Sequence, residues 1–135
     1  MPNRTAEGEC AMAKVKEIMT TEVVTVEGSA PITEAVALMK AHGVRALIVD
    51  RRSDEDAYGV ITETDIVYKV AAFDKDPKAV KVHEVMTKPC IVVNPDLDVK
   101  YAARLFANTG IRRAPVIKDR LMGIISVTDI LRKAM

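Results

Sequence analysis

The chain has 135 residues, enough for one domain or two half-domains that bury a core without disulfide or metal staples. Twenty basic residues against nineteen acidic ones leave a net charge of +1 and no basic stripe, which argues against a nucleic-acid partner. Two cysteines make no disulfide framework, and no apolar run approaches a membrane span or a secretory signal, so a cytoplasmic protein with no membrane partner is expected.

Residues 1–11, which include Cys10, lack periodicity and read as a flexible extension. The first ordered unit is expected over 12–73. It begins with Val15-Lys16-Glu17-Ile18-Met19-Thr20, followed by Val23-Val24-Thr25-Val26, a β-branched run that predicts a strand. Apolar residues from Ile32 to Ala41 recur at helical spacing, with Ser29 as the expected cap and Gly43 as the stop. "ALIVD" and "GVIT" then form two strands joined by the long hairpin "RRSDEDAY", and a last helix starts near Asp65.

A polar stretch with a central proline, "DKDPKAVK" at 74–81, predicts a linker to a second unit over 82–135. There the chain repeats itself. Val82-His83-Glu84-Val85-Met86-Thr87 copies Val15–Thr20 at an offset of 67, and Cys90-Ile91-Val92-Val93 falls on the first strand. Val99, Ala102, Ala103 and Phe106 fall on Ile32, Ala35, Val36 and Met39, with Asp96 as the expected cap and Gly110 as the stop. "APVIK" and "GIIS" form a tighter hairpin around "KDRLM", and the closing helix starts near Asp129, now at an offset of 64. Each unit therefore reads strand–helix–strand–strand–helix.

The repeated "MT" and the closing stretches "GVITETDI" and "GIISVTDI" resemble a cystathionine-β-synthase-type (CBS) domain, twice. A tandem pair resembles a Bateman module, which implies an α/β (α+β) fold of two repeats packed about a pseudo-twofold axis. The resemblance also implies a regulatory module that senses AMP, ADP, ATP or S-adenosylmethionine in a cleft between the domains and signals to a partner protein. Such a ligand is not a resident cofactor. By the same resemblance Asp65 and Asp129 would bind ribose hydroxyls, and Thr62 and Ser126 would contact ribose or phosphate.

A carboxylate accepts and a ribose diol donates, so the pairing is chemically apt. The same residues spell a helix capping box, in which the aspartate bonds its own helix start and binds no ligand. Both roles are compatible at Thr62 and Ser126. Many relatives carry a basic residue before the aspartate, where this chain has Thr64 and Thr128. Phosphate charge would then come from Arg45, Arg112 or Arg113, which read equally well as solvated surface residues. Val23, Val24, Cys90 and Ile91 are candidates for an adenine pocket or for plain core. Gly59 and Gly123 would permit close approach of a ligand or a tight hairpin.

His42 and His83 lack a metal spacing, Asp54, Glu55 and Asp56 lack that of a calcium loop, and no nucleophile is paired with a base. No enzyme and no metal site are expected. The alternative to a sensor is a structural dimerisation or scaffold protein without ligand binding. Apolar residues on most sides of the first helix of each copy (Val36, Ala37, Leu38 and Ala41; Tyr101, Leu105 and Ala107) predict a second buried face and hence a homodimer.

Overall fold

A computed structural model describes residues 13–135; the extension expected over 1–11 lies outside the described residues. The elements in chain order are α1 (Val15–Ile18), β1 (Thr25–Val26), α2 (Ile32–His42), β2 (Ala46–Val49), β3 (Gly59–Thr62) and α3 (Glu63–Lys69), then α4 (Val99–Thr109), β4 (Arg113–Lys118), β5 (Arg120–Ser126) and α5 (Val127–Ala134). Short 3₁₀ turns cover Ala71–Phe73 and Val82–Glu84.

The compact units do not coincide with the sequence repeats. One unit is the continuous stretch 23–90, and the other joins 13–22 to 91–135. Each repeat's opening segment is thus built into the other repeat. Thr20 exchanges two backbone hydrogen bonds with Ile124 (2.8 and 2.9 Å), and Thr87 does the same with Val60 (3.0 and 2.9 Å). Val15 and Ile18 are buried in the core of the second unit with Val99, Phe106 and Ile125. Val82 and Val85 are buried in the core of the first with Ile32, Leu47 and Ile61.

The repeated glycines make this exchange possible. A Cβ on Gly123 would lie 2.6 Å from the Thr20 carbonyl oxygen, and one on Gly59 would lie 3.1 Å from that of Thr87. The close approach expected at these glycines is therefore made by the Met-Thr backbone of the exchanged segment.

In unit 23–90, β1 runs parallel to β2, and β2 pairs antiparallel with β3. In the other unit β4 and β5 form a two-stranded antiparallel sheet. The strand expected at Cys90–Val93 contracts to a single parallel bridge between Val93 and Val116. Proline explains the difference. Ile48 donates its N–H to the Val24 carbonyl at 3.1 Å, whereas Pro115 at the equivalent place has no N–H to give. The Val93 bonds, to Pro115 O and from Ile117 N, are what remain of the ladder.

One further expectation is corrected. Neither Ser29 nor Asp96 caps a helix: α2 and α4 start three residues later, after Pro31 and Asp98, and neither start has a side-chain cap bond. The stretch 74–81 also takes part in the fold, since Pro77 and Val80 supply carbonyls to the first free N–H groups of α2, on Thr33 and Ile32. Gly43 and Gly110 do end α2 and α4, in left-handed conformations with φ of 64° and 78°.

Candidate functional site

In both units a strand passes directly into the closing helix, and the hydroxyl residue at the junction caps it. Thr62 Oγ1 accepts the Asp65 N–H at 3.1 Å, and Asp65 Oδ2 accepts the Thr62 N–H at 2.9 Å. Ser126 and Asp129 repeat the box at 3.1 and 3.0 Å. The residue before the second strand's partner completes each junction, with Arg45 O accepting the Glu63 N–H and Arg112 O accepting the Val127 N–H. These two arginines thus stand beside the box in their own units, through their backbones. Arg113 pairs across the sheet with Ser126 and is half-buried.

The two aspartates then part company. Asp129 is buried at 8% exposure, and its Oδ2 also accepts the Ser126 hydroxyl at 3.0 Å. Its Oδ1 lies 3.2 Å from Thr20 Oγ1 and 3.2 Å from Lys133 Nζ. Among the described residues the Asp65 carboxylate accepts a single hydrogen bond, from the Thr62 N–H, and its Oδ1 is 3.8 Å from Lys69 Nζ. Thr62 Oγ1 is 3.0 Å from the exposed Thr64 hydroxyl, whereas Thr128 is exposed and has no such link among the described residues.

Sequence reasoning missed Thr20, Lys69 and Lys133. The lysines were legible: each stands four residues after its aspartate on one helix face. Thr20 was not, because its role depends on the exchanged segment.

The adenine candidates divide between the units. Val23, Val24 and Cys90 belong to the first, where Val24 packs against the core. Cys90 Sγ donates to Tyr58 O at 3.3 Å, and burial raises the thiol's pKa. Ile91 belongs to the second unit and is exposed. Among the described residues no group of histidine, cysteine or acidic side chains could hold a metal, and no helix is long and apolar enough to cross a membrane.

The family model described as the CBS domain matches residues 15–72 and 82–135. An uncharacterised protein of Methanopyrus kandleri is 34% identical over 120 residues, covering 87% of this chain and 61% of that protein. The chain thus spans under two thirds of that relative's length. A hexameric CBS-CP12 protein from bloom-forming cyanobacteria is 60% identical with a TM-score of 0.88, over 91% of this chain and 68% of its own. The CBS domain pair of protein MJ0100, solved with 5′-methylthioadenosine and S-adenosyl-L-methionine, is 27% identical with a TM-score of 0.77, over 90% of this chain and 94% of its own.

Proposed function

The chain belongs to the CBS-domain family, and on that premise we propose that it is a regulatory module whose closing aspartates receive the ribose of an adenosine-containing ligand. The observation that carries this reading is the incomplete hydrogen bonding of Asp65. One N–H reaches its Oδ2, and Oδ1 stands beyond hydrogen-bond distance of Lys69. A carboxylate has about four acceptor positions, so a ribose diol can bind without breaking the cap. The adenosine compounds bound by MJ0100's CBS pair support this choice of ligand.

In this reading Thr62 and Ser126, with Thr64 and Thr128, contact ribose or phosphate. Arg45, Arg112 and Arg113 supply phosphate charge, and Val23, Val24, Cys90 and Ile91 face the adenine. Occupancy is passed to a partner protein, through a difference in affinity between two conformations. The chain acts as a homodimer. Ala37, Ala41 and Ala107 leave accessible sides on α2 and α4, and larger apolar groups lie exposed on α3 and α5 at Val67, Tyr68, Val127 and Leu131. A mass of 14.8 kDa by light scattering at tens of micromolar would mean a monomer and remove this element.

The closed capping box favours a second reading, a scaffold whose aspartates only hold helices. Thermal shift separates the two. AMP, ADP, ATP or S-adenosylmethionine at 100 times its dissociation constant adds about 2.7 kcal/mol of stability, and GMP and CMP do not. No shift from any adenosine compound at millimolar concentration leaves the scaffold.

A further inference from the structure

The two units share one backbone frame at the end of the sheet away from Asp65, and fill it differently. In the second unit Lys16 donates its N–H to Pro95 O at 3.0 Å, and in the first His83 donates to Gly28 O at 2.9 Å. Val116 pairs with Gly123 as Val49 pairs with Gly59. By the repeat offset of 67, Lys16 corresponds to His83, Asp96 to Ser29, and Lys118 to Arg51.

In the second unit the Asp96 carboxylate sits between two cations, 3.0 Å from Lys16 Nζ and 2.9 Å from Lys118 Nζ. The first unit keeps a nitrogen base and a cation at the corresponding places, but Ser29 provides no carboxylate between them. A cavity of about 790 Å³ opens there, with Ser29, Arg51 and His83 in its wall. Among the described residues, neither the His83 ring nor the Ser29 hydroxyl has a hydrogen bond within the protein. Arg51 is held at the edge of the cavity, 5.1 Å from the Tyr58 ring and 3.3 Å from Asp54 O. Among the described residues the guanidinium pairs with one carboxylate, on the fully exposed Asp54 at 3.6 Å, while Asp50 accepts the Arg51 backbone N–H at 2.9 Å. A guanidinium has five N–H donors, so several stay available.

We propose that this cavity binds a small molecule through one anionic group, a carboxylate or a phosphate, at the place that the Asp96 carboxylate fills in the other unit. Arg51 and His83 grip the anion, and Ser29 donates its hydroxyl. Arg52 and Lys88 also line the cavity and share Asp56, at 3.2 and 2.8 Å, so their charge is largely spent. Glu27 and Asp50 are the acidic residues of the wall. They repel a second negative group and accept from hydroxyls or an amine elsewhere on the ligand. The site lies at the Val49–Gly59 end of the β2–β3 pair, about 10 Å along the strand from the Ala46–Thr62 end. It is therefore independent of the ribose reading.

The test is titration of inorganic phosphate and of succinate into the full chain, followed by backbone and His83 ring resonances. Saturable shifts at Gly28, Ser29, Arg51 and His83 are expected below about 10 mM, the range that a few charge-assisted hydrogen bonds give. Saturation by phosphate alone, or by succinate alone, tells which anion the natural ligand carries. Ser29→Asp supplies the missing carboxylate from within and should weaken binding at least tenfold. Its fold is expected to hold, since the other unit has aspartate in the same frame. Arg51→Gln should weaken binding likewise, while shifts caused by adenosine, which has no anionic group, stay as in the wild type. No saturable shift from either anion, or binding that Ser29→Asp leaves unchanged, overturns the proposal.

Discussion

Asp65 and Asp129 hold the same position in two copies of one motif, yet one carboxylate is nearly spent and the other nearly free. Asp129 receives Ser126 twice, Thr20 once and Lys133 once, and is 8% exposed. Asp65 receives one N–H and has more side-chain surface, 20% against 11%. The motif fixes the cap in both units. What is left for a ligand depends on residues outside it: Thr20 reaches Asp129, and its counterpart Thr87 is exposed.

The largest expected effect breaks this pair apart. Asp129→Ala strands the Ser126 N–H and hydroxyl, takes the acceptor of the Thr20 hydroxyl and leaves Lys133 with the Ile18 carbonyl alone, which should cost about 3 kcal/mol in a denaturant melt. Asp65→Ala keeps the Thr62 cap, loses the return bond from the Thr62 N–H and a 3.8 Å ion pair with Lys69, and should cost about 1 kcal/mol. Affinity should run the other way, with Asp65→Ala the more damaging to adenosine binding by calorimetry. Equal stability losses from the two variants would show that the extra partners of Asp129 contribute nothing.

The glycines offer a second, smaller contrast. A methyl on Gly123 meets backbone, the Thr20 carbonyl oxygen at 2.6 Å, and backbone cannot step aside without breaking the Thr20–Ile124 pair. A methyl on Gly59 meets the Thr87 oxygen at 3.1 Å and the flexible Met86 sulfur at 3.0 Å. Gly123→Ala should therefore cost about 2 kcal/mol and Gly59→Ala about 1 kcal/mol or less, as overpacking costs run. Hydrogen exchange at Thr20 and Ile124 should quicken in the first variant only. Protection of those amides at the wild-type level would mean that the exchanged segment relaxes freely.

Period and punctuation made most of the elements legible. The recurrence of apolar residues at helical spacing gave α2 and α4, the glycines after them gave their ends, and the short and long hairpins were plain from loop length. Three things were hidden, each for a physical reason. The exchange of opening segments is a matter of long-range pairing, which no local pattern encodes; only the twin glycines hint at it. The loss of a strand at Cys90–Val93 traces to Pro115, some twenty residues away on the would-be partner. The expected caps Ser29 and Asp96 fit the local rule, but the carboxylate of Asp96 finds two lysines rather than a helix start. At the candidate site the capping box was readable, and its unequal saturation was not.

The Ser29–Asp96 contrast also yields the smallest effect, one that pH resolves. Hydrogen bonds from Lys118 and Lys16 lower the Asp96 pKa from 3.8 to about 2. A carboxylate whose folded pKa is depressed adds stability at every pH above its unfolded value and loses it as pH falls through the folded one. The contribution of Asp96 should thus be complete above pH 3.8 and fade toward pH 2. The group is solvent-exposed, so the effect is small. Asp96→Asn should show a stability deficit that is constant in urea melts near neutral pH and shrinks across that acid window. Ser29→Ala, which removes a hydroxyl with no proton to exchange in this range, should differ from the wild type by the same amount throughout. A deficit in Asp96→Asn that persists unchanged to pH 2 would mean that the lysines hold the loop by packing rather than by charge.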